Sequence, residues 1–164
     1  MAHDWRRLAV FYEDVLGCVP VPPERSLSGP ELERGTGVPE ARLQGLHLRL
    51  PGHGSSGPTL ELFQYEPSLE RGSGAVNQPG FAHLAFEVSR DAEDSGEATG
   101  GAARGDSAVD KAVAHVLSAG GSRVGKTVSL SVSETTKVTF AYVTDPEGNV
   151  IELQSWSRSS QSAH

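Results

Sequence analysis

Three side chains able to do chemistry stand in similar settings along a chain of 164 residues. Glu61 lies within Thr59-Leu60-Glu61-Leu62-Phe63-Gln64-Tyr65, His83 within Gly80-Phe81-Ala82-His83-Leu84-Ala85-Phe86, and Glu152 within Val150-Ile151-Glu152-Leu153-Gln154. Carboxylates and imidazoles are the groups that move protons in catalysis. Strand alternation puts Ile151 and Leu153 on one face and Val150, Glu152 and Gln154 on the other. The same alternation sets Glu61 against Leu60 and Leu62, and His83 against Leu84 and Phe86. One carboxylate on a strand face is ordinarily just solvated, because one-sided antiparallel sheets are common. The weight comes from the repetition.

The elements that must position these groups can be read in order. Asp4 is placed to cap a helix whose Trp5, Leu8, Tyr12, Val15 and Leu16 share a face, with Gly17 as its stop. Residues 19–40 are rich in Pro, Gly and Ser without a sustained period and are expected to form a long loop. Leu46, Leu48 and Leu50 alternate with His47 and Arg49 as a half-buried strand, and 51–58 turn it back into the strand of Glu61. After a linker at 67–79 comes a strand over 81–88. Residues 89–106 carry no apolar face and are expected to form a mobile insertion. Ser107 with Asp110 makes a capping pair for a helix carrying Val109, Ala112, Val113, Val116 and Leu117, ended by Gly120-Gly121. Strands are expected over 127–132 (Val128, Leu130 and Val132 inward), 137–144 and 150–156. Between the last two, Asp145-Pro146-Glu147-Gly148 has type I turn chemistry.

Composition narrows the partners. A formal net charge of -7 disfavours a nucleic-acid backbone or an anionic membrane surface. No apolar run approaches the roughly 20 residues of a membrane span, and no signal segment opens the sequence. Cys18 is alone, so an internal disulfide framework is excluded and a reducing cytoplasm fits. Its place behind Gly17 at a helix exit argues against a catalytic thiol.

The two halves share an order of helix, strand, and strand carrying a glutamate, a structural repeat rather than a literal one. The expected fold class is α+β, two paired βαβββ modules with the first strand of the first module missing. Residues 1–66 form the N-terminal module, 67–79 the linker, 80–157 the C-terminal module and 158–164 a disordered tail. One sheet face takes the helix, against Leu60, Leu62, Leu84, Phe86, Ile151 and Leu153. The other lines a cleft with Glu61, His83 and Glu152, where His47, Arg49, Phe63 and Gln154 share the parity needed to touch a substrate.

Three stretches carry a family resemblance: Phe11-Tyr12-Glu13-Asp14-Val15-Leu16-Gly17, the segment Gly80 through Val88, and Asp145-Pro146-Glu147-Gly148-Asn149-Val150-Ile151-Glu152-Leu153. In this order they resemble the vicinal oxygen chelate superfamily of glyoxalase I, bleomycin-resistance proteins and extradiol dioxygenases. The resemblance implies that Glu61, His83 and Glu152 are metal ligands. Such a set suits an octahedral divalent ion, Ni, Co, Mn, Fe or Zn, with open positions for two adjacent substrate oxygens. Glu152 is then the preferred base. The function implied is a metal-dependent isomerase or lyase on a small molecule with adjacent oxygens, in a homodimer. The alternative is a metal-free protein that sequesters an antibiotic, as bleomycin-resistance proteins do. A dioxygenase ranks third, since its triad needs a second His. In the family that ligand sits on a first strand well before the Phe-Tyr-Glu helix; here the helix opens at about Asp4, and His3 is too close to serve. Either the start of the sequence is truncated, or another segment or a second subunit is expected to fill that edge.

Overall fold

Asp4 has the extended backbone of an N-cap, and its Oδ1 accepts the Arg7 N–H at 3.1 Å. The helix that follows, α1 (Trp5–Leu16), buries Trp5, Leu8, Ala9, Phe11 and Tyr12 and ends at Gly17, whose φ of 68° closes it in the left-handed form. The computed structural model describes residues 1–72, 74–89 and 107–158. These divide into two units, Met1–Ser73 and Gly74–His164, with the boundary inside the stretch expected to be a linker.

In the first unit α1 is followed by β1 (Val19–Ser28), α2 (Pro30–Thr36), β2 (Arg42–Arg49) and β3 (Thr59–Glu66), an antiparallel sheet in the order β1-β2-β3. The long loop expected over 19–40 is therefore a strand and a short helix. Pro20, Pro22 and Pro23 hide the strand from a pattern reading. They are tolerated because β1 is an edge strand, and its pairing with β2 shifts register between Val21 and Arg25, across Pro22-Pro23. Leu46, Leu48 and Leu62 are buried on the side of α1. Among the described residues this sheet has no fourth strand beyond β3, but Ala2 donates its N–H to the Phe63 carbonyl at 2.8 Å.

The second unit runs β4 (Leu84–Glu87), α3 (Ala108–Ser118), β5 (Ser122–Arg123), β6 (Val128–Ser131), β7 (Thr136–Thr144) and β8 (Val150–Arg158). The order is β4-β8-β7, with β5 and β6 pairing in turn with β7; β4 lies parallel to β8 and the other pairs are antiparallel. With β5 and β6 counted as one interrupted strand, since both pair with β7, this is a βαβββ module, and the chain as a whole is α+β. Ser107 caps α3, accepting the Asp110 N–H at 3.1 Å, and Val109, Val113 and Val116 are fully buried with Ile151, Leu153 and Val143.

Three expectations are corrected here. The strand of His83 is shorter than 81–88, so His83 immediately precedes β4 and Phe81 is exposed. Leu84 is paired with Ile151 yet 42 % exposed, as the first residue of an edge strand. Val128, Leu130 and Val132 do not point inward: register sets Val128 opposite Phe140 and Leu130 opposite Val138, on the sheet face away from α3. Strict alternation identified the strand but not which face is covered. Of the expected mobile insertion, residues 90–106 lie outside the described residues; so do 159–164 of the tail, while Arg158 ends β8.

Candidate functional site

The Asp145 turn fixes the geometry of the second unit. Asp145 is buried; its Oδ1 accepts the N–H groups of Glu147 and Asn149 at 2.9 and 2.8 Å, and its Oδ2 accepts Asn149 Nδ2 at 2.7 Å. Its carbonyl takes the Gly148 N–H at 3.0 Å, closing the turn. With the turn locked, β7 and β8 register so that Tyr142 stands opposite Glu152 and Phe140 opposite Gln154. Ile151 and Leu153 are fully buried toward α3, which leaves Glu152 on the open face.

His83 and Glu152 meet there, with Nε2 of the imidazole 3.1 Å from Oε2 of the carboxylate; the side chains are 29 % and 15 % exposed. The Tyr142 hydroxyl donates to the same Oε2 at 3.4 Å, and its ring stands edge-on to His83 at 5.0 Å and to Phe140 at 5.8 Å. Burial first, then the negative charge of Glu152 and the hydrogen bond to it, push the Tyr142 phenol above its ordinary value of 10.0. The phenol is thus held in its donating form.

Glu61 has its partner within the first unit: His47 on β2, directly opposite, with Nε2 3.4 Å from Oε1. Phe63 lies opposite Gly45, and its ring centroid is 5.6 Å from that of His47. A Cβ at Gly45 would run into the Leu62 carbonyl and the Phe63 ring, so glycine there lets the ring lie across β2. Arg49 stands opposite Thr59, two residues along β2 from His47. The structure therefore pairs His83 with Glu152 and His47 with Glu61. Within neither unit, among the described residues, do three His, Cys, Asp or Glu side chains converge. Cys18 is buried, and that burial, with the nearby charge of Glu13, pushes its thiol up to about 11, which fits no nucleophilic role.

Tyr142 was not among the residues expected from sequence, although a signal existed. A hairpin folded symmetrically about Glu147 puts Tyr142 opposite Glu152, as the register shows. His47, expected as a substrate contact, turns out to be the direct neighbour of Glu61.

No protein-family sequence model matches the chain, and no curated protein matches it in sequence. Solved structures do match in fold. A glyoxalase family protein from Bacillus cereus superposes with a TM-score of 0.69 at 16% identity, covering 95% of this chain and 89% of that one. A glyoxylase/bleomycin resistance protein/dioxygenase domain from Frankia gives 0.55 at 14% identity, over 98% and 88%. A glyoxalase family protein from Enterococcus faecalis gives 0.50 at 20% identity, over 92% and 88%. The fold is that of the glyoxalase, bleomycin-resistance and dioxygenase proteins, the vicinal oxygen chelate fold.

Proposed function

We propose that the chain is a divalent-metal-dependent isomerase or lyase acting on a small molecule with adjacent oxygens. The observation that carries this reading is the contact of His83 with Glu152 on an open sheet face. Two cis donors on an octahedral ion, each about 2.1 Å from it, stand about 3.0 Å apart. His83 Nε2 and Glu152 Oε2 stand 3.1 Å apart. An imidazole and a carboxylate are also the right donors for Ni, Co, Mn, Fe or Zn. His83 and Glu152 would hold the ion; Glu61 keeps its pairing with His47 in the first unit.

A bound ion supplies polarisation of the two substrate oxygens, which acidifies the C–H beside them. Glu152 would take that proton and return it to the neighbouring carbon. Tyr142, donating to the same carboxylate, fixes its orientation. His83 closes the other side of Oε2.

The test is calorimetric titration of Ni, Co, Mn and Zn into wild type, His83→Ala and Glu152→Gln, followed by a hemithioacetal isomerisation assay. Wild type should bind a divalent ion, His83→Ala should bind it at least about tenfold more weakly, and Glu152→Gln should lose more turnover than binding. A wild type that binds no ion, with both variants indistinguishable from it, would overturn the reading in favour of a metal-free sequestering protein.

A further inference from the structure

The open face of the second unit changes character along its strands. At the Asp145 end the cross-strand row is Tyr142 and Glu152, with His83 beside them. The next row is Val128, Phe140 and Gln154, with Glu87 of β4 at its far end, and the row after that is Leu130, Val138 and Trp156. Ser129 and Thr139, hydrogen-bonded to each other at 2.7 Å, occupy the alternate positions and so belong to the opposite face. On β6 and β7 the two rows beyond Tyr142 are apolar throughout, and on β8 they pass from Gln154 to Trp156. Leu130 and Trp156 are 53 % and 44 % exposed, flanking a buried Val138. Side chains this large and this exposed, continuous with the His83–Glu152 contact, form an amphipathic strip rather than scattered surface residues. From Glu152 to Trp156 is four residues of strand, about 13 Å, and the strip is three strands wide, about 10 Å.

We infer that the substrate carries its adjacent oxygens as the head of a longer apolar, ring-bearing body, with the head at His83–Glu152 and the body along Phe140, Val128, Leu130 and Trp156. This rests on the proposed function for the head and on the apolar rows for the body. A short aliphatic substrate would occupy the first row and leave two rows unused. Phe140 and Trp156 offer ring faces and edges to an aromatic body, and the charged group on these two rows, Glu87, stands on β4, on the far side of Gln154 from Phe140 and Val128.

The test uses glycolate, mandelate and 4-phenylmandelate, which share an α-hydroxy acid head and add one ring at a time. Affinity for the nickel-loaded protein is measured by calorimetry, and iodide quenching of tryptophan fluorescence follows Trp156, since Trp5 is buried. Affinity should rise about tenfold per ring. 4-Phenylmandelate should shield Trp156 from iodide, and glycolate should not. Leu130→Asp, at an exposed edge-strand position, should abolish the ring-dependent gain and leave glycolate binding unchanged; Val128→Asp serves as the second variant. Equal affinity for all three probes, or a gain that survives both variants, overturns the inference while leaving the metal reading intact. The metal-free protein with 4-biphenylmethanol separates the two proposals: shielding of Trp156 without nickel supports the body site even where metal binding fails, and no shielding in either form overturns it. If iodide cannot reach Trp156 in free wild type and Leu130→Asp halves the mass seen by light scattering, the strip is a contact between two copies and the inference falls.

Discussion

Ala2 gives its backbone N–H to the carbonyl of Phe63 at 2.8 Å, at the place on β3 that corresponds to Gln154 on β8, whose carbonyl takes the Val88 N–H at the same distance. Two residues before each acceptor stands a glutamate, and opposite each glutamate stands a ring: His47 facing Glu61, Tyr142 facing Glu152. The units repeat one plan with different chemistry at the ring position. An imidazole offers one nitrogen that donates a hydrogen bond and one that can accept, whereas a phenol beside a carboxylate stays a donor.

That difference is measurable at Tyr142. Its folded value is raised by burial and by Glu152, so its stabilising contribution is complete below the ordinary value of 10.0 and is lost as pH rises through the folded value. Absorbance titration at a phenolate wavelength, taken as wild type minus Tyr142→Phe, should show a midpoint above 10.0. In Glu152→Gln the midpoint should fall, because the negative charge that opposes ionisation is gone. An unchanged midpoint would mean that Glu152 does not face the phenol in solution.

Gly45 offers a packing test in the first unit. Alanine there would drive a methyl group into the Leu62 carbonyl and the Phe63 ring, so β2 and β3 would have to separate locally. Gly45→Ala should cost about 2–3 kcal/mol in denaturant unfolding. It should also loosen the contact of His47 with Glu61, seen as an altered imidazole chemical shift. Gly52, with open space around its position, is a weaker site, and alanine there pays only for its positive φ of 81°.

These two predictions fall on residues of unequal legibility. Asp4, Gly17, Ser107 and the Asp145 turn announce themselves because caps and turns are local, and each is found where its chemistry points. Glu152 was readable for the same reason, since the turn sets its strand. β1 was not, because its prolines break the pattern and only a neighbouring strand makes it an edge. The apolar alternation of Val128 and Leu130 was visible, but which face α3 covers is decided by tertiary packing. The contact of His47 with Glu61 depends on pairing across a hairpin of uncertain register, which no local signal specified.

Asp145 should be the most sensitive polar residue in the second unit. Its buried carboxylate satisfies two backbone N–H groups and the Asn149 amide, and alanine would leave them without that acceptor. Hydrogen bonds to a charged group contribute about 1.5–3 kcal/mol each and do not sum simply, so Asp145→Ala should lose about 3 kcal/mol in thermal or denaturant unfolding. Because the turn sets the register of Tyr142 with Glu152, the variant should also lose the divalent-ion binding proposed for His83 and Glu152. Asp145→Asn, which keeps an acceptor oxygen, should retain a good part of both.

Acid should act on the second unit through α3. Asp110 lies in the first turn of that helix, where a hydrogen bond from Thr127, then those with Ser107 and the nearby charge of Arg123, hold its carboxyl below the ordinary value of 3.8 against the opposing effect of burial. The folded state therefore favours the carboxylate. Its contribution is present in full above the unfolded value near 3.8 and is lost as pH falls through the lower folded one. The difference in unfolding free energy between wild type and Asp110→Asn should be flat from neutral pH to about 5 and should shrink below about 4. Ser107→Ala removes the cap itself and should cost about 1 kcal/mol at all these pH values, with some loss of the acid dependence because one of the bonds holding Asp110 ionised is gone. A wild-type and Asp110→Asn pair whose difference stays constant down to pH 2 would show that the carboxylate is not engaged at the start of α3.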